Sequence, residues 1–266
     1  MISRLRDYFQ PLGRVAIAYS GGVDSTLVVK AALDALGAEN VVALLAVSLS
    51  LPQSEKDEAI TLAQSLGARL ELLHTAETDD PRYQANAPNR CYFCKDHVYR
   101  ALRDYAAQNG IQHVLDGMNA DDTLDVRPGR AAARELHILS PLHELGFHKQ
   151  DVRDAAKALG LPNWDKPAAA CLASRVPYGT AVTPKLLTQI EKAEAALFDL
   201  GFRELRVRHH GDVARIEVPE ADLNRVLKQR DTINTALKAL GYVYITLDLA
   251  GFRTGSMNEV LSARTA

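Results

Sequence analysis

The sequence predicts an α/β fold in which a parallel, doubly wound sheet is followed by a smaller α+β domain. Two continuous apolar runs, Val15–Tyr19 and Val41–Val47, are typical of strands buried on both faces. Each run is followed by a segment of helical period that ends at a glycine, and the connections are short. Repeated strand–helix units of this kind predict a parallel sheet covered by helices.

Three further segments are predicted to extend this sheet. They are Arg69–His74, His113–Asp116 and Leu136–Ser140. The helical period breaks between Asn163 and Thr180, so we place a domain boundary there, with domains at residues 1–180 and 181–266. In the second domain, Arg203–His209 and Val213–Val218 flank a His-Gly-Asp turn and predict a hairpin.

The composition is that of an ordinary globular chain without a membrane span. Of 266 residues, 47% are apolar and 24% are charged. A net charge of −2 gives no overall electrostatic footprint for nucleic acid. The first ten residues lack the apolar core of a signal peptide, and three cysteines do not form a closed disulfide framework. We therefore expect a cytoplasmic protein with no membrane or nucleic-acid partner.

The segment Ser20-Gly21-Gly22-Val23-Asp24-Ser25 stands between the first strand and the first helix. Its glycines allow a ligand to approach the backbone closely, and the unpaired N–H groups of a helix N-terminus attract phosphate. The loop lacks the Gly-Lys-Ser/Thr ending of a P-loop, so a pyrophosphate leaving group fits better than γ-phosphoryl transfer. Ser20 and Ser25 add hydroxyl donors, and Asp24 is the nearby carboxylate for Mg²⁺. The alternative is that this segment is only a glycine-rich turn between strand and helix and binds no ligand.

A second polar loop follows the fourth predicted strand. It runs from Gly117 through Asn119 to Asp122 and carries two carboxylates and an amide. Because ligands in parallel sheets bind beyond the carboxyl ends of the strands, we expect this loop to face the same site. Any single aspartate in it could equally belong to a solvated turn. The polar stretch Glu77–Arg90 is predicted to be an ordered loop over the site.

The three cysteines leave four alternatives open. Cys91 and Cys94 have the spacing of a metal-binding or redox pair, and Cys171 lies far along the chain. Cys171 considered alone is most simply a buried, inert thiol. Together the three could bind zinc with His97, or a 4Fe–4S cluster that leaves one iron open. Spacing alone does not separate zinc from iron–sulfur.

Taken together, these motifs resemble known families. The loop Ser20–Ser25 resembles the PP-loop of ATP pyrophosphatases, which have an adenine nucleotide alpha hydrolase-like fold. With it, the segments Asn89–Lys95, Asp116–Asp122, Asp165–Arg175 and Arg206–Glu217 resemble LarE, the family of ATP-dependent sulfur-insertion proteins that build the nickel-pincer nucleotide cofactor of lactate racemase. The similarity continues through Leu247–Asn258 and covers nearly the whole chain.

The resemblance implies a reaction. ATP adenylates a carboxylate of pyridinium-3,5-biscarboxylic acid mononucleotide, pyrophosphate leaves, and sulfur replaces AMP. In single-cysteine members the residue matching Cys171 gives up its own sulfur and becomes dehydroalanine. In three-cysteine members a 4Fe–4S cluster carries the sulfur, and the presence of Cys91, Cys94 and Cys171 favours that route here.

The resemblance also assigns roles that the residues alone do not. Arg206 and Arg208 alternate on one strand and would read, in isolation, as incidental charge on an edge. The family match makes them the clamp for the substrate phosphate. Glu194, Glu217 and Asp248 match acidic positions near the second site or the subunit contacts. The resemblance further implies a homohexamer, and it leaves the sulfur donor unknown.

Two other functions remain at this stage. A tRNA thiolase of the PP-loop class also uses a 4Fe–4S cluster and an adenylated intermediate, but it needs a basic surface and often a zinc module. The slightly acidic balance and the three cysteines argue against it. A non-catalytic nucleotide sensor with structural zinc would form no AMP or pyrophosphate.

Overall fold

The computed structural model describes residues 1–123 and 129–253. They fall into two compact units. The first unit comprises residues 1–83 and 88–169, and the second comprises residues 84–87 and the described residues from 170 onward. In the ranges that the structure describes, no helix has both the length and the apolar character needed to cross a membrane.

The first unit is built on a four-stranded parallel sheet. Its strands are β1 (Val15–Tyr19), β2 (Val41–Val47), β3 (Arg69–His74) and β4 (His113–Leu115), in the order β3-β2-β1-β4. The helices are α1 (Ile2–Phe9), α2 (Val23–Leu36), α3 (Gln53–Ser65), α4 (Pro81–Gln84), α5 (Arg90–Gln108), α6 (Gly129–Glu135), α7 (Pro141–Glu144) and α8 (Lys149–Ala158). Because every strand pair is parallel, the carboxyl ends of the strands meet at one edge of the sheet.

Apolar side chains cover both faces of this sheet. Alternate residues of β1 and β2 pack with α2 and α8 into one core, and the intervening residues pack with α5 and α6 into another. Val15 and Ile17, for example, belong to the first core and Ala16 to the second, and all three are fully buried. The doubly wound α/β fold predicted from the apolar runs is confirmed.

The predicted fifth strand, Leu136–Ser140, is wrong except at one residue. Only Leu139 makes a bridge, to Leu115. His137 has a φ of 51°, in the left-handed region, which interrupts extended backbone. The Arg103 side chain also binds the carbonyls of Leu136 and His137, at 2.7 and 2.5 Å, in place of a neighbouring strand.

The second unit contains a three-stranded sheet covered by helices. Its elements are α9 (Pro184–Asp199), β5 (Arg206–His210), β6 (Val213–Glu217), α10 (Leu223–Lys228), α11 (Arg230–Ala239) and β7 (Tyr244–Leu247). Strands β5 and β6 form the antiparallel hairpin expected around Gly211, and β7 runs parallel to β6. Thr183 caps α9 by accepting a hydrogen bond from the Leu186 N–H at 3.2 Å, and Pro184 is the first helical residue.

Candidate nucleotide and substrate sites

The predicted phosphate cradle joins β1 to α2. Strand β1 ends at Tyr19 and α2 begins at Val23, whose side chain is buried in the core, so only its backbone can serve a ligand. The Ser25 hydroxyl donates to the Gly22 carbonyl at 3.1 Å and accepts from the Ser20 N–H at 3.2 Å. These bonds fix the turn before any ligand arrives. The first N–H groups of a 14-residue helix therefore face the carboxyl edge of the sheet.

Gly21 shows why this loop needs glycine. Its φ is +72°, and a Cβ added there would lie 2.8 Å from the Cβ of Ala59 on α3. Any side chain at this position would meet both backbone strain and a steric clash. The loop consequently lies directly against α3.

The loop after β4 meets the PP-loop, as its position beyond a neighbouring strand led us to expect. A Cβ on Gly117 would lie 2.7 Å from the backbone nitrogen of Ser25, so the two loops are in contact at Gly117. The Asn119 side-chain amide donates to Asp24 Oδ1 at 3.0 Å. Asp24, Gly117 and Asn119 thus belong to one cluster.

Lys149 joins this cluster, and the sequence analysis assigned it no role. Its ammonium group binds Asp24 Oδ2. Its backbone N–H donates to Asp121 Oδ2 at 2.7 Å, which holds the first residue of α8 at the loop. One signal was available: Lys149 begins a helix, where the dipole disfavours a cation. A lysine in that position suggests a partner outside the helix.

Asp121 and His148 support this arrangement. His148 Nδ1 lies 2.6 Å from Asp121 Oδ1. This hydrogen bond raises the pKa of His148, and together with the Lys149 N–H it lowers the pKa of Asp121. The Asp121 carboxylate therefore positions Lys149.

Cys91 and Cys94 lie in the first two turns of α5. The sequence predicts a helix from about Lys95 to Ala107, but the helix begins at Arg90. The buried Arg90 side chain packs over the ring of Tyr83, 6.0 Å from its centroid, and this contact anchors the earlier start. Three residues apart on a helix, the two thiols share a face, and Cys91 is exposed.

Cys171 belongs to the second unit. It precedes the 3₁₀ turn Leu172–Arg175, is partly exposed, and its carbonyl accepts a hydrogen bond from Arg175 at 3.1 Å. None of the three cysteines, all of them described, forms a disulfide. Within residues 1–123 and 129–253, no three histidine, cysteine or acidic side chains lie close enough together to hold a metal.

His97, the fourth ligand in the zinc alternative, already has an acidic partner. Its Nε2 lies 2.9 Å from Asp80 Oδ2. The Arg82 guanidinium and His97 hold the pKa of Asp80 well below its usual range, so this carboxylate stays ionised. Asp80 lies in the segment Glu77–Arg90, which is partly helical, with a 3₁₀ turn at Glu77–Asp79 and α4 after it.

The second unit contains a buried cluster of three arginines. Arg208, 1% exposed, pairs with Glu217 at 2.9 Å and donates to the Ser174 carbonyl at 2.7 Å. Arg175 pairs with Glu194, which also accepts from the Val207 N–H. Glu194 and Glu217 therefore hold arginines in place. Asp248 lies 3.5 Å from Arg215 and 3.7 Å from Arg253, in the same kind of role.

Arg206 is the exception in this cluster. It is 7% exposed, and no carboxylate of the described chain lies within ion-pair distance of it. Its guanidinium stacks 4.6 Å from the centroid of the Phe252 ring. Burial, together with repulsion from Arg175 and Arg208, lowers its pKa to about 10. Among the described residues, three buried guanidiniums face two buried carboxylates, and this leaves an unbalanced positive charge suited to an anion.

A strand–glycine loop–helix cradle with a paired aspartate and lysine, on a parallel α/β sheet, defines the class of ATP-using PP-loop proteins. Comparisons with known proteins support this class. The NAD synthase family matches residues 3–109.

Full-length relatives narrow the assignment. Pyridinium-3,5-bisthiocarboxylic acid mononucleotide synthase of Lactiplantibacillus plantarum is 45% identical over 98% of this chain and 94% of its own length. An uncharacterised protein of Synechocystis is 44% identical over 98% of both chains. One from Methanocaldococcus jannaschii is 28% identical over 91% of each. The chain belongs to the LarE family of ATP-dependent sulfur-insertion enzymes.

One part of the family resemblance remains without structural description. Residues 254–258, which carry the end of the C-terminal motif, lie outside the described residues. The similarity there rests on sequence alone.

Proposed function

We propose that this enzyme adenylates a carboxylate of pyridinium-3,5-biscarboxylic acid mononucleotide and replaces AMP by sulfur, in the biosynthesis of the nickel-pincer nucleotide cofactor. The observation that carries the proposal is the 45% identity, over nearly the full length of both chains, to a synthase named for the bisthiocarboxylic product. The PP-loop in the first unit and the unbalanced arginine cluster in the second supply the two anion sites that such a reaction needs.

The first half-reaction belongs to the PP-loop. A carboxylate oxygen of the substrate attacks the α-phosphorus of ATP, and the bond to pyrophosphate breaks. The N–H groups of Gly22, Val23 and Asp24, with the hydroxyls of Ser20 and Ser25, stabilise the departing pyrophosphate. Lys149, already at the loop through Asp24, adds a positive charge.

Asp24 is the side chain that would hold Mg²⁺. It offers one carboxylate beside the cradle, and magnesium is commonly bound by one or two carboxylates together with substrate phosphates. Both its oxygens now accept from Asn119 and Lys149. Mg²⁺ on Asp24 would therefore release Lys149 toward the pyrophosphate. Magnesium supplies further charge neutralisation at the leaving group when bound.

The substrate phosphate is assigned to Arg206 and Arg208. Neighbouring residues of one face of β5, they are buried together, and Arg206 has no carboxylate neutralising it among the described residues. A phosphate monoester would supply the missing negative charge through paired hydrogen bonds.

In the second half-reaction a sulfur nucleophile attacks the acyl adenylate, AMP leaves, and a thiocarboxylate forms. Three thiols outside any disulfide are the donor set of a cluster with one open iron, so Cys91, Cys94 and Cys171 would hold 4Fe–4S. When bound, this cluster supplies a labile sulfide. In the alternative, Cys171 forms a thioester and then loses its sulfur by elimination, becoming dehydroalanine.

We place the reaction in the cytoplasm and in a homohexamer. Three cysteines outside any disulfide fit a reducing compartment. The hexamer rests on the family resemblance alone.

The proposal is tested by measuring AMP and pyrophosphate formed from ATP with and without the carboxylated mononucleotide. Both products are expected in equal amounts, and only when the mononucleotide is present. Lys149→Met is expected to slow their formation roughly a hundredfold, because the leaving group loses its cation. Lys157→Met, on the same helix but over the ring of Trp164, is the matched control and should leave the rate unchanged. ATP cleavage to ADP, or cleavage independent of the mononucleotide, would contradict the proposal.

A further inference from the structure

Asn163 touches the PP-loop although it lies far from it in the sequence. Its side-chain Nδ2 donates to the Gly21 carbonyl at 2.9 Å and to the Thr26 hydroxyl at 3.0 Å. Asn163 is 8% exposed, and both acceptors are buried. One amide group thus binds the loop at its second residue and α2 in its first turn.

A phosphate cradle creates a need for such a donor. When the N–H groups of successive loop residues face an anion, the carbonyls between them face the protein and must find donors there. The Gly21 carbonyl lies in a loop already in contact with Ala59 of α3, and Asn163 supplies its donor. Its Oδ1, by contrast, has no hydrogen-bond partner in the described parts of the chain, so the fold uses only the donor end of this amide.

We infer that Asn163 is a positioning residue for the leaving pyrophosphate: it holds the Gly21 carbonyl toward the protein so that the loop N–H groups face the ligand. The inference rests on the proposed use of this loop for ATP. Asn163 would act at the pyrophosphate end of the nucleotide, although it lies outside the loop sequence.

The surroundings of Asn163 indicate that variants at this position will still fold. Asn163 and Gly21 line a cavity of about 750 Å³, together with Pro162 and Lys166. A shortened side chain here opens onto that cavity, where water can solvate the Gly21 carbonyl. The fold is then retained while the carbonyl loses its fixed direction.

The test compares the affinities of the protein for inorganic pyrophosphate and for AMP by calorimetry. Asn163→Ala is expected to weaken pyrophosphate binding roughly tenfold, the effect of one buried hydrogen bond, and AMP binding much less. Asn163→Asp, which keeps the shape but cannot donate, should lose at least as much. Thr26→Val removes one acceptor and leaves Gly21 bonded, so its loss should be smaller and in the same direction. Asn163→Gln, which keeps the donor, should recover part of the affinity.

Asn40→Ala is the matched control. Asn40 donates its side-chain amide to the Leu36 carbonyl at 2.8 Å, at the opposite end of the same helix. It should change the melting temperature without changing the ratio of the two affinities. Equal weakening of pyrophosphate and AMP, or unchanged pyrophosphate binding in folded Asn163→Ala and Thr26→Val, overturns the inference. Failure of the wild-type protein to bind pyrophosphate at all would instead overturn the use of the loop for ATP and, with it, the inference.

Discussion

At the scale of single residues, the most informative side chain is Arg206. A guanidinium whose pKa falls to about 10 on folding is held in a place that disfavours its charge. Because the cation is less stable in the folded protein than in the unfolded chain, Arg206 opposes folding at neutral pH, unlike an arginine that gains a carboxylate. Such a residue makes physical sense if an anion occupies the cluster during the reaction.

Removing the charge of Arg206 and removing that of Arg208 should therefore have different effects on the free energy of unfolding. Arg206→Met is expected to leave the free energy of unfolding unchanged or higher, because it removes a desolvated, repelled cation. Arg208→Met should lower it by about 3 kcal/mol, because the fully buried Glu217 loses the arginine that pairs with it at 2.9 Å. Both should weaken binding of a phosphate monoester roughly a hundredfold.

Denaturant unfolding and calorimetry measure these effects. The matched control is Arg225→Met, which removes an arginine that binds the carbonyls of Leu200 and Gly201. It should lower stability and spare phosphate affinity. If Arg206→Met lowered the stability and left phosphate binding intact, that result would contradict an anion site at Arg206.

The His148–Asp121 pair gives a prediction about pH. Its hydrogen bond raises the pKa of His148 in the folded state, so its stabilisation is fully present below the ordinary histidine value of about 6.5 and is lost as pH rises through the raised value. The pKa of Asp121 is lowered, so its own contribution is lost only as pH falls through that lowered value. The stability difference between wild type and His148→Gln should therefore shrink as pH rises from neutral. A difference that grows with pH would show that the pair does not form.

At the scale of elements, the residue at which α5 begins determines where the side chains of Cys91 and Cys94 lie. Beginning at Arg90, the helix fixes Cys91 and Cys94 on one face near its N-terminus. The sequence alone predicts this helix only from about Lys95. Packing of Arg90 on Tyr83, which the local sequence does not reveal, extends the helix backward.

Measuring the metal content tests whether the three cysteines bind a cluster. Protein purified without oxygen is expected to contain about four irons and four acid-labile sulfides per chain. Cys91→Ala, Cys94→Ala and Cys171→Ala should each lose them, because each removes one of three ligands. One zinc per chain would contradict the cluster and favour the alternative with His97. Protein without metal would favour direct sulfur loss from Cys171.

At the scale of the whole molecule, what could be predicted from the sequence depends on how far apart the relevant residues lie. Strands β1, β2 and β3 have the predicted bounds, because each is a short run closed by turn residues. The PP-loop is contiguous in the sequence and could be recognised as readily as these strands. Lys149 and Asn163 reach the same loop only through the packing of α8 and the turn after it, and nothing in their local sequence names Asp24 or Gly21 as partners.

The same limit applies to the second unit. The alternation of Arg206 and Arg208 could be read from the sequence, but their difference could not. Only the fold pairs Arg208 with Glu217 and leaves Arg206 against the ring of Phe252. Charge balance in a buried cluster is a property of tertiary structure.

The most direct test of the central claim, that sulfur replaces a carboxylate oxygen, is mass spectrometry of both product and protein after a single turnover with ATP and the biscarboxylic mononucleotide. The account predicts a product heavier by the exchange of one oxygen for sulfur, formed with one AMP and one pyrophosphate, and an intact Cys171 if the cluster supplies the sulfur. A thiocarboxylate product with dehydroalanine at position 171 would retain sulfur insertion and replace the cluster route. AMP and pyrophosphate formed without any sulfur in the product would contradict the account.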